Sequence, residues 1–461
     1  MAMPERDRLH RTLKEYTARA METLAATCPE APPEMIFRGF AREWTRITPE
    51  LFGLRERAVP YWELCILERA QDRRAFPEYE AVVAAIRADE LASPQVDTLV
   101  GTALSAERQE VDKLADRILW DLARRAEGLR FDSDAFDESF ERLIADLERT
   151  EYELPISAPL PGVKCADLPI EVEPGLEIAL LSDNEIAWCL RSGLIPTIGP
   201  VEHAMVGEVV GIRMRLSLPK IVGDERPGAD AAYELERQML ARALAVIHAL
   251  RAFKRGRFST PGYVRLTDDA GSGAQFGPLE GTGALRRFGG DYELTSEDVA
   301  AFRSFWPQFV EATKRTLVAR AIRRFSYAAD RERADDRLTD LVIAAETLFL
   351  GDTGEAQYRG ELRYRYALRA AFFIAADESR RDVFMFMRNG YDARSAVVHG
   401  GEPSEKILRA IDGSQLSLSD FVDATEEILR IALRKAITET ESAGGPLVDW
   451  EELIMGGGPA L

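Results

Sequence analysis

The chain has 461 residues, 46% of them hydrophobic and 30% charged, which fits a globular protein of several domains with material for sizeable cores. A formal net charge of −19 argues against a surface built for nonspecific nucleic-acid binding. The four cysteines, Cys28, Cys65, Cys165 and Cys189, are scattered without a C-x-x-C pair, so no zinc site is expected, and unpaired thiols in a reducing cytoplasm are.

Residues 1–150 read as helices. Apolar residues recur at spacings of three and four in Leu9, Leu13 and Tyr16, again at Met21 and Leu24, and from Val111 to Leu129 and Phe136 to Leu147. Prolines at 29, 32, 33, 49, 60 and 77 cut the remainder into short pieces. The expectation is an all-helical region of unassigned role, with His10 at its surface and no catalytic cluster. No apolar stretch follows Met1, and runs such as Ala370–Ala376 are short, so neither a signal peptide nor a membrane span is expected.

A small α+β domain is predicted over 151–295. Pro and Gly replace the helical pattern between Tyr152 and Gly162. Ile170–Glu173 and Leu176–Leu181 alternate as strands, and Ser182-Asp-Asn-Glu185 has the form of a capping box. Strand pattern returns from Val206 to Ile221 and from Arg257 to Leu266, on either side of an amphipathic helix at Ala229–Phe253. His248 lies on the apolar side of that helix, where a core or interface role is expected; His203 has no visible partner. The loop 269–291 carries seven glycines but lacks the order a phosphate loop requires, so it reads as a surface loop in which Arg286-Arg287 form a solvated pair.

From Thr295-Ser-Glu-Asp298, an acid-rich helix start, to residue 442 the pattern is helical. One helix or a broken pair covers Asp298–Ala334. Others follow at Asp336–Leu350, Glu361–Ala376, Arg380–His399, with Asn389-Gly390 as the place for a break, and Ser417–Glu439. Residues 443–461 read as a flexible tail with a short sticky segment around Trp450 that can dock on a partner. The fold class expected is thus α+β, multidomain and mainly α.

Charge is unevenly spread. From Val318 to Arg394 there are 14 arginines, no lysine and 13 acidic residues, a sum of +1, which leaves −20 for everything else. This segment ends in Tyr391-Asp-Ala-Arg394-Ser395-Ala-Val-Val-His399-Gly400-Gly401. Arginine holds a phosphate with a planar fork and keeps its charge. Histidine moves protons near neutral pH, at an unperturbed pKa of ~6.5. Together they are the smallest set that can cut RNA without a metal, the RNA's own 2′-hydroxyl serving as nucleophile. Five helical positions turn by ~140°, so the two side chains do not stack on one face. Gly400-Gly401 predicts a helix C-cap just after His399, where the helix dipole favours imidazolium. One pair offers one proton carrier where cleavage uses two, which points to a twofold dimer with a shared cleft. The plain alternative is an Arg394 that pairs with a carboxylate and a His399 that ends a helix.

The pattern Tyr391-x-x-Arg394-Ser395-x-x-Val398-His399-Gly400, near the end of a helical bundle, resembles the HEPN superfamily and within it the ApeA-like domains of bacterial proteins. Ala344-Ala-Glu346-Thr-Leu-Phe349 and Glu361–Phe372 are similar to two preceding helices of that family, and Ser157–Val163 and Gly175–Ser182 to the α+β region that often precedes them. The likeness covers roughly 151–440. It implies a HEPN-like bundle over 296–442 that forms a homodimer, in which Arg394 and His399 of both protomers make a metal-independent RNase site without a cofactor. Glu346 would orient Arg394 or His399, or make a structural salt bridge. Ser395 would hydrogen-bond phosphate, and Tyr391 would stack on a base or pack. Arg363, Arg365 and Arg369, interleaved with tyrosines, would track an RNA backbone or form a salt-bridged face. The function implied is an endoribonuclease of anti-phage defence or stress, a toxin-like effector checked by its N-terminal regions and released by a partner protein or phage trigger. A non-catalytic module that binds RNA, a nucleotide or protein is the alternative.

Overall fold

The computed structural model describes residues 3–27, 40–48, 51–58, 61–69, 76, 78–195, 208–258, 260–267, 273–279, 291–351, 361–376, 379–439 and 448–456. His203, Arg286, Arg287 and most of the loop 269–291 lie outside them. Among the described residues the chain is mainly helical, with fourteen α-helices and several small sheets, an α+β architecture. None of these helices is long and apolar enough to cross a membrane.

Helix α1 (Met3–Thr27) buries Leu9, Leu13, Tyr16, Ala20 and Leu24 at helical spacing. The first strands are β1 (Phe40–Thr48) and β2 (Leu51–Ala58), followed by α2 (Tyr61–Arg69), α3 (Tyr79–Ala88), β3 (Thr98–Gly101), β4 (Glu107–Gln109), α4 (Val111–Arg125) and α5 (Ser133–Glu148). Helices α1, α3, α4 and α5 share one apolar core. The all-helical expectation for this region is therefore corrected. β1 and β2 form an antiparallel hairpin, and β3 pairs with β4. Phe40, Trp44, Thr45, Ile47 and Thr48 are strand-favouring types, whereas β3 and β4 are too short to display a period. His10 is not simply a surface residue. Its ring packs edge-on against Phe136 and Phe140, with Nε2 2.9 Å from an Asp137 carboxylate oxygen. Cys165 and Cys189 are free, but Cys65 is disulfide-bonded, which corrects the expectation of unpaired thiols. Sequence spacing carries no information on which sulfurs meet in space.

The middle of the chain contains β5 (Glu151–Pro159), β6 (Val163–Cys165), β7 (Ile170–Glu173), β8 (Leu176–Leu180), α6 (Asp183–Arg191), β9 (Val210–Pro219), β10 (Ile221–Gly223), α7 (Ala229–Phe253), β11 (Tyr263–Leu266), β12 (Ala274–Gly277) and β13 (Tyr292–Leu294). Six of these strands make an antiparallel sheet in the order β12-β11-β5-β9-β8-β7. β5 forms in the stretch where the prolines hide a strand pattern; Pro155 lies just past the residues that pair with β11. The capping box on α6 is present, with Ser182 and Glu185 reciprocally bonded. β10 pairs with β3, which ties this region to the first 150 residues.

The last part is a bundle of α8 (Ser296–Thr313), α9 (Thr316–Ala329), α10 (Ala334–Leu350), α11 (Leu362–Ile374), α12 (Arg380–Val398) and α13 (Leu418–Thr438), with the short α14 (Trp450–Met455). A single apolar cluster runs from the six-stranded sheet through α7 into this bundle. A buried polar seam reinforces it. Arg251 of α7 meets Asp330 at 2.6 Å and the Ser326 hydroxyl and carbonyl; Arg430 of α13 donates to the Arg251 carbonyl at 3.0 Å; Arg337 of α10 pairs with Asp423 and Glu426. α12 is continuous through Asn389-Gly390. The tail expectation is corrected over 448–456. Trp450 is buried against Phe349 and Phe373, and the Arg369 guanidinium lies 4.8 Å from its ring centre.

Candidate functional site

Helix α12 carries the Arg/His pair because its apolar residues Val383, Phe386, Met387, Gly390 and Ala393 face the bundle at helical spacing. Arg394 falls at the border of that buried stripe. It is 25% exposed and aimed at α10, where its Nη2 lies 3.8 Å from a Glu346 carboxylate oxygen. That is an ion pair beyond hydrogen-bond distance. The Arg394 Nε is buried and has no hydrogen-bond partner among the described residues.

His399 occupies the end of the same helix. Its amide donates to the Ser395 carbonyl at 3.2 Å, the Gly400 amide to Val397 at 2.9 Å and the Gly401 amide to Ala396 at 2.9 Å. Gly400 has φ of +78°, so this is a Schellman C-cap, as the glycine pair predicts. The cap leaves the imidazole exposed, and no side-chain hydrogen bond to it occurs among the described residues. His399 and Arg394 make no contact within hydrogen-bond range in the single chain. Both elements of the plain alternative are thus present: a carboxylate beside Arg394 and a helix end at His399.

Around Arg394 lies a small polar cluster that sequence reading grasps only in part. Burial pushes the Glu346 carboxyl above its ordinary pKa, and the Arg394 charge offsets part of that rise. Tyr366 of α11 is fully buried beside this pair, and its hydroxyl is pushed up chiefly by burial and then by Glu346 and Tyr391. The Tyr366 and Tyr391 rings meet at 5.6 Å, so Tyr391, half-buried, packs as well as flanking the site. Ser395 is half-buried one position past Arg394. It shares a helix face with Arg388, Asp392 and His399 at spacings of three and four. Tyr366, expected only as one of the tyrosines between the α11 arginines, is instead buried beside Glu346 and Tyr391, and nothing local in the sequence marks that.

The three arginines of α11 do not form one track. Arg363 makes a two-oxygen contact with Asp392 at 2.8 and 3.1 Å. Arg369 donates to the Phe349 carbonyl at 2.8 Å and stacks on Trp450. Arg365 is half-buried. Two of the three are thereby engaged in holding α11 to α10, α12 and α14. Among the described residues no group of three His, Cys, Asp or Glu side chains is arranged to hold a metal ion. Comparison with protein-family models, curated proteins and solved structures finds no match.

Proposed function

We propose that the chain is a metal-independent endoribonuclease of the HEPN type, acting in the cytoplasm as a homodimer whose two bundles place their Arg394 and His399 side chains in one cleft. The observation that carries this reading is on α12: a guanidinium whose buried Nε has no hydrogen-bond partner among the described residues, and one turn on, an exposed imidazole without a side-chain partner among them. In the proposed reaction one His399 takes the proton of the RNA 2′-hydroxyl, whose oxygen attacks phosphorus. The bond to the 5′-oxygen breaks, and the partner's His399 protonates that leaving group. Arg394 binds the phosphorane oxygens. The products are a 2′,3′-cyclic phosphate and a 5′-hydroxyl. The acidic body, −19 overall, would keep bulk RNA away until a trigger exposes the cleft, which suits an effector of phage defence or stress held in check.

The test is incubation of the purified chain with labelled RNA in EDTA. Cleavage with cyclic-phosphate ends, lost in both His399→Ala and Arg394→Ala, supports the proposal; cleavage that persists in both variants ends it. A second reading has one observation in its favour, the Arg394–Glu346 pair, which is also how a structural arginine would be held. On that reading the bundle binds RNA, a nucleotide or a partner protein without cutting. RNA retained by the wild type but never cleaved, with or without candidate triggers, would favour it.

A further inference from the structure

Helix α7 faces the first bundle helices across a crevice of about 660 Å³ that plays no part in the reading above. On α7 the lining residues Leu244, Ala245 and His248 recur at i, i+1 and i+4, and on α9 Ala319, Arg320 and Arg323 do the same. That spacing puts each trio on one helix face, so the two faces oppose each other. Phe309 of α8 adds to an apolar floor. The rim is cationic, and among the described residues no acidic side chain lines it. Arg320 and Arg323 are exposed, and neither has a carboxylate partner among the described residues. Lys314, also on the rim, is held by Glu311.

His248 supplies the remaining group. It is half-buried, with no hydrogen-bond partner among the described residues. Burial first, then the Arg251 and Arg323 charges, push its pKa down to about 3, so the ring is neutral near pH 7 and can both donate and accept. An uncharged imidazole and an apolar floor beneath two unpaired guanidinium groups form an amphiphilic anion site. The forks suit phosphate oxygens, the floor suits a flat apolar ring, and the volume falls in the usual range for small-molecule pockets.

We infer that the crevice between α7 and α9 binds a small phosphate-bearing molecule with a ring, of the nucleoside monophosphate class. Arg320 and Arg323 take the phosphate, Leu244, Ala245 and Phe309 take the ring, and His248 bonds to its polar edge. The occupant touches both the α+β region and the bundle, so it would fasten one to the other. This inference does not depend on the ribonuclease reading.

The experiment is calorimetric titration of the full chain with AMP, GMP, CMP and UMP, and separately with inorganic phosphate and dodecanoate. At least one nucleotide should bind, and more tightly than phosphate alone. The double variant Arg320→Gln/Arg323→Gln should weaken it by roughly tenfold or more, as expected for charge-assisted bonds. Ala245→Trp, which fills the floor and leaves the charges in place, should also abolish binding, and thermal melts will show whether each variant folds. No nucleotide binding, equal binding of phosphate alone, binding of dodecanoate only, or nucleotide binding unchanged in both crevice variants would each overturn the inference.

Discussion

Two parts of the molecule use the same side chain in opposite ways. Where α7, α9, α10 and α13 meet, Arg251, Arg337 and Arg430 have side chains only 4–5% exposed, and each is met by carboxylates, carbonyls or both. At the end of α12, Arg394 is 25% exposed, sees one carboxylate at 3.8 Å and keeps a buried Nε unpartnered. A buried guanidinium without sufficient acceptors is costly, so the seam arginines are there to be saturated and the helices are arranged around them. Arg394 is less completely met than those three. The two sides differ in the partners supplied, not in residue type.

The sharpest way to break this contrast is to remove an arginine from each side. Arg251→Ala leaves Asp330, only 10% exposed, without its cation, and should cost about 3–5 kcal/mol of unfolding free energy by chemical denaturation. A loss below about 1 kcal/mol would deny the seam its structural part. Arg394→Ala should shift stability by no more than about 1 kcal/mol. If the proposed function holds, however, His399→Ala and Arg394→Ala should each lower RNA cleavage by about a hundredfold to ten-thousandfold, the usual range for a proton carrier or for a lost transition-state contact. Loss of folding in either variant, seen by circular dichroism, would place α12 with the seam.

His248 allows a smaller test of the same idea. Its folded pKa of about 3 lies below the ordinary 6.5, so the unfolded chain binds the proton more tightly. The stability it contributes is full above pH 6.5 and is lost as pH falls toward 3. Wild type and His248→Gln should therefore differ in the slope of unfolding free energy against pH by about one proton across that window. Parallel curves would show that the imidazole is already charged in the folded chain.

Much of the α12 end was legible in the sequence because a helix cap is a local object. The bonds from Gly400 and Gly401 reach back only to Val397 and Ala396, and the capping boxes at Ser182 and Thr295 close within three residues. The long helix α7 and the short strands β7 and β8 were legible for the same reason: each shows its period over its own length. The hairpin of β1 and β2 was not, since prolines cut that stretch into short pieces and alternation there is imperfect. Nor was the docking of Trp450 or the placement of Tyr366 between Glu346 and Tyr391, contacts that depend on helices distant in sequence coming together. Local periodicity could find the residues of the candidate site but not how many partners each would receive, and that count is what distinguishes Arg394 from Arg251.

Glu346 gives the smallest effect and the finest discrimination. Its carboxyl is raised above the ordinary value, by burial first and against the pull of Arg394. The folded chain therefore holds this proton more tightly than the unfolded chain. The stability it contributes is present below the unfolded pKa and is lost as pH rises through the folded one. Glu346→Gln removes that loss, so at pH 7 the variant should melt slightly above the wild type, with the advantage gone below the unfolded pKa of about 4.3. The same change takes from Arg394 its one carboxylate. If Glu346 both restrains and positions that guanidinium, the freed cation should bind RNA more tightly and use it less well, so that KM and kcat fall together. A variant that melts lower at pH 7 would show that attraction to Arg394 outweighs burial. An unchanged KM would show that Glu346 does not restrain the arginine at all.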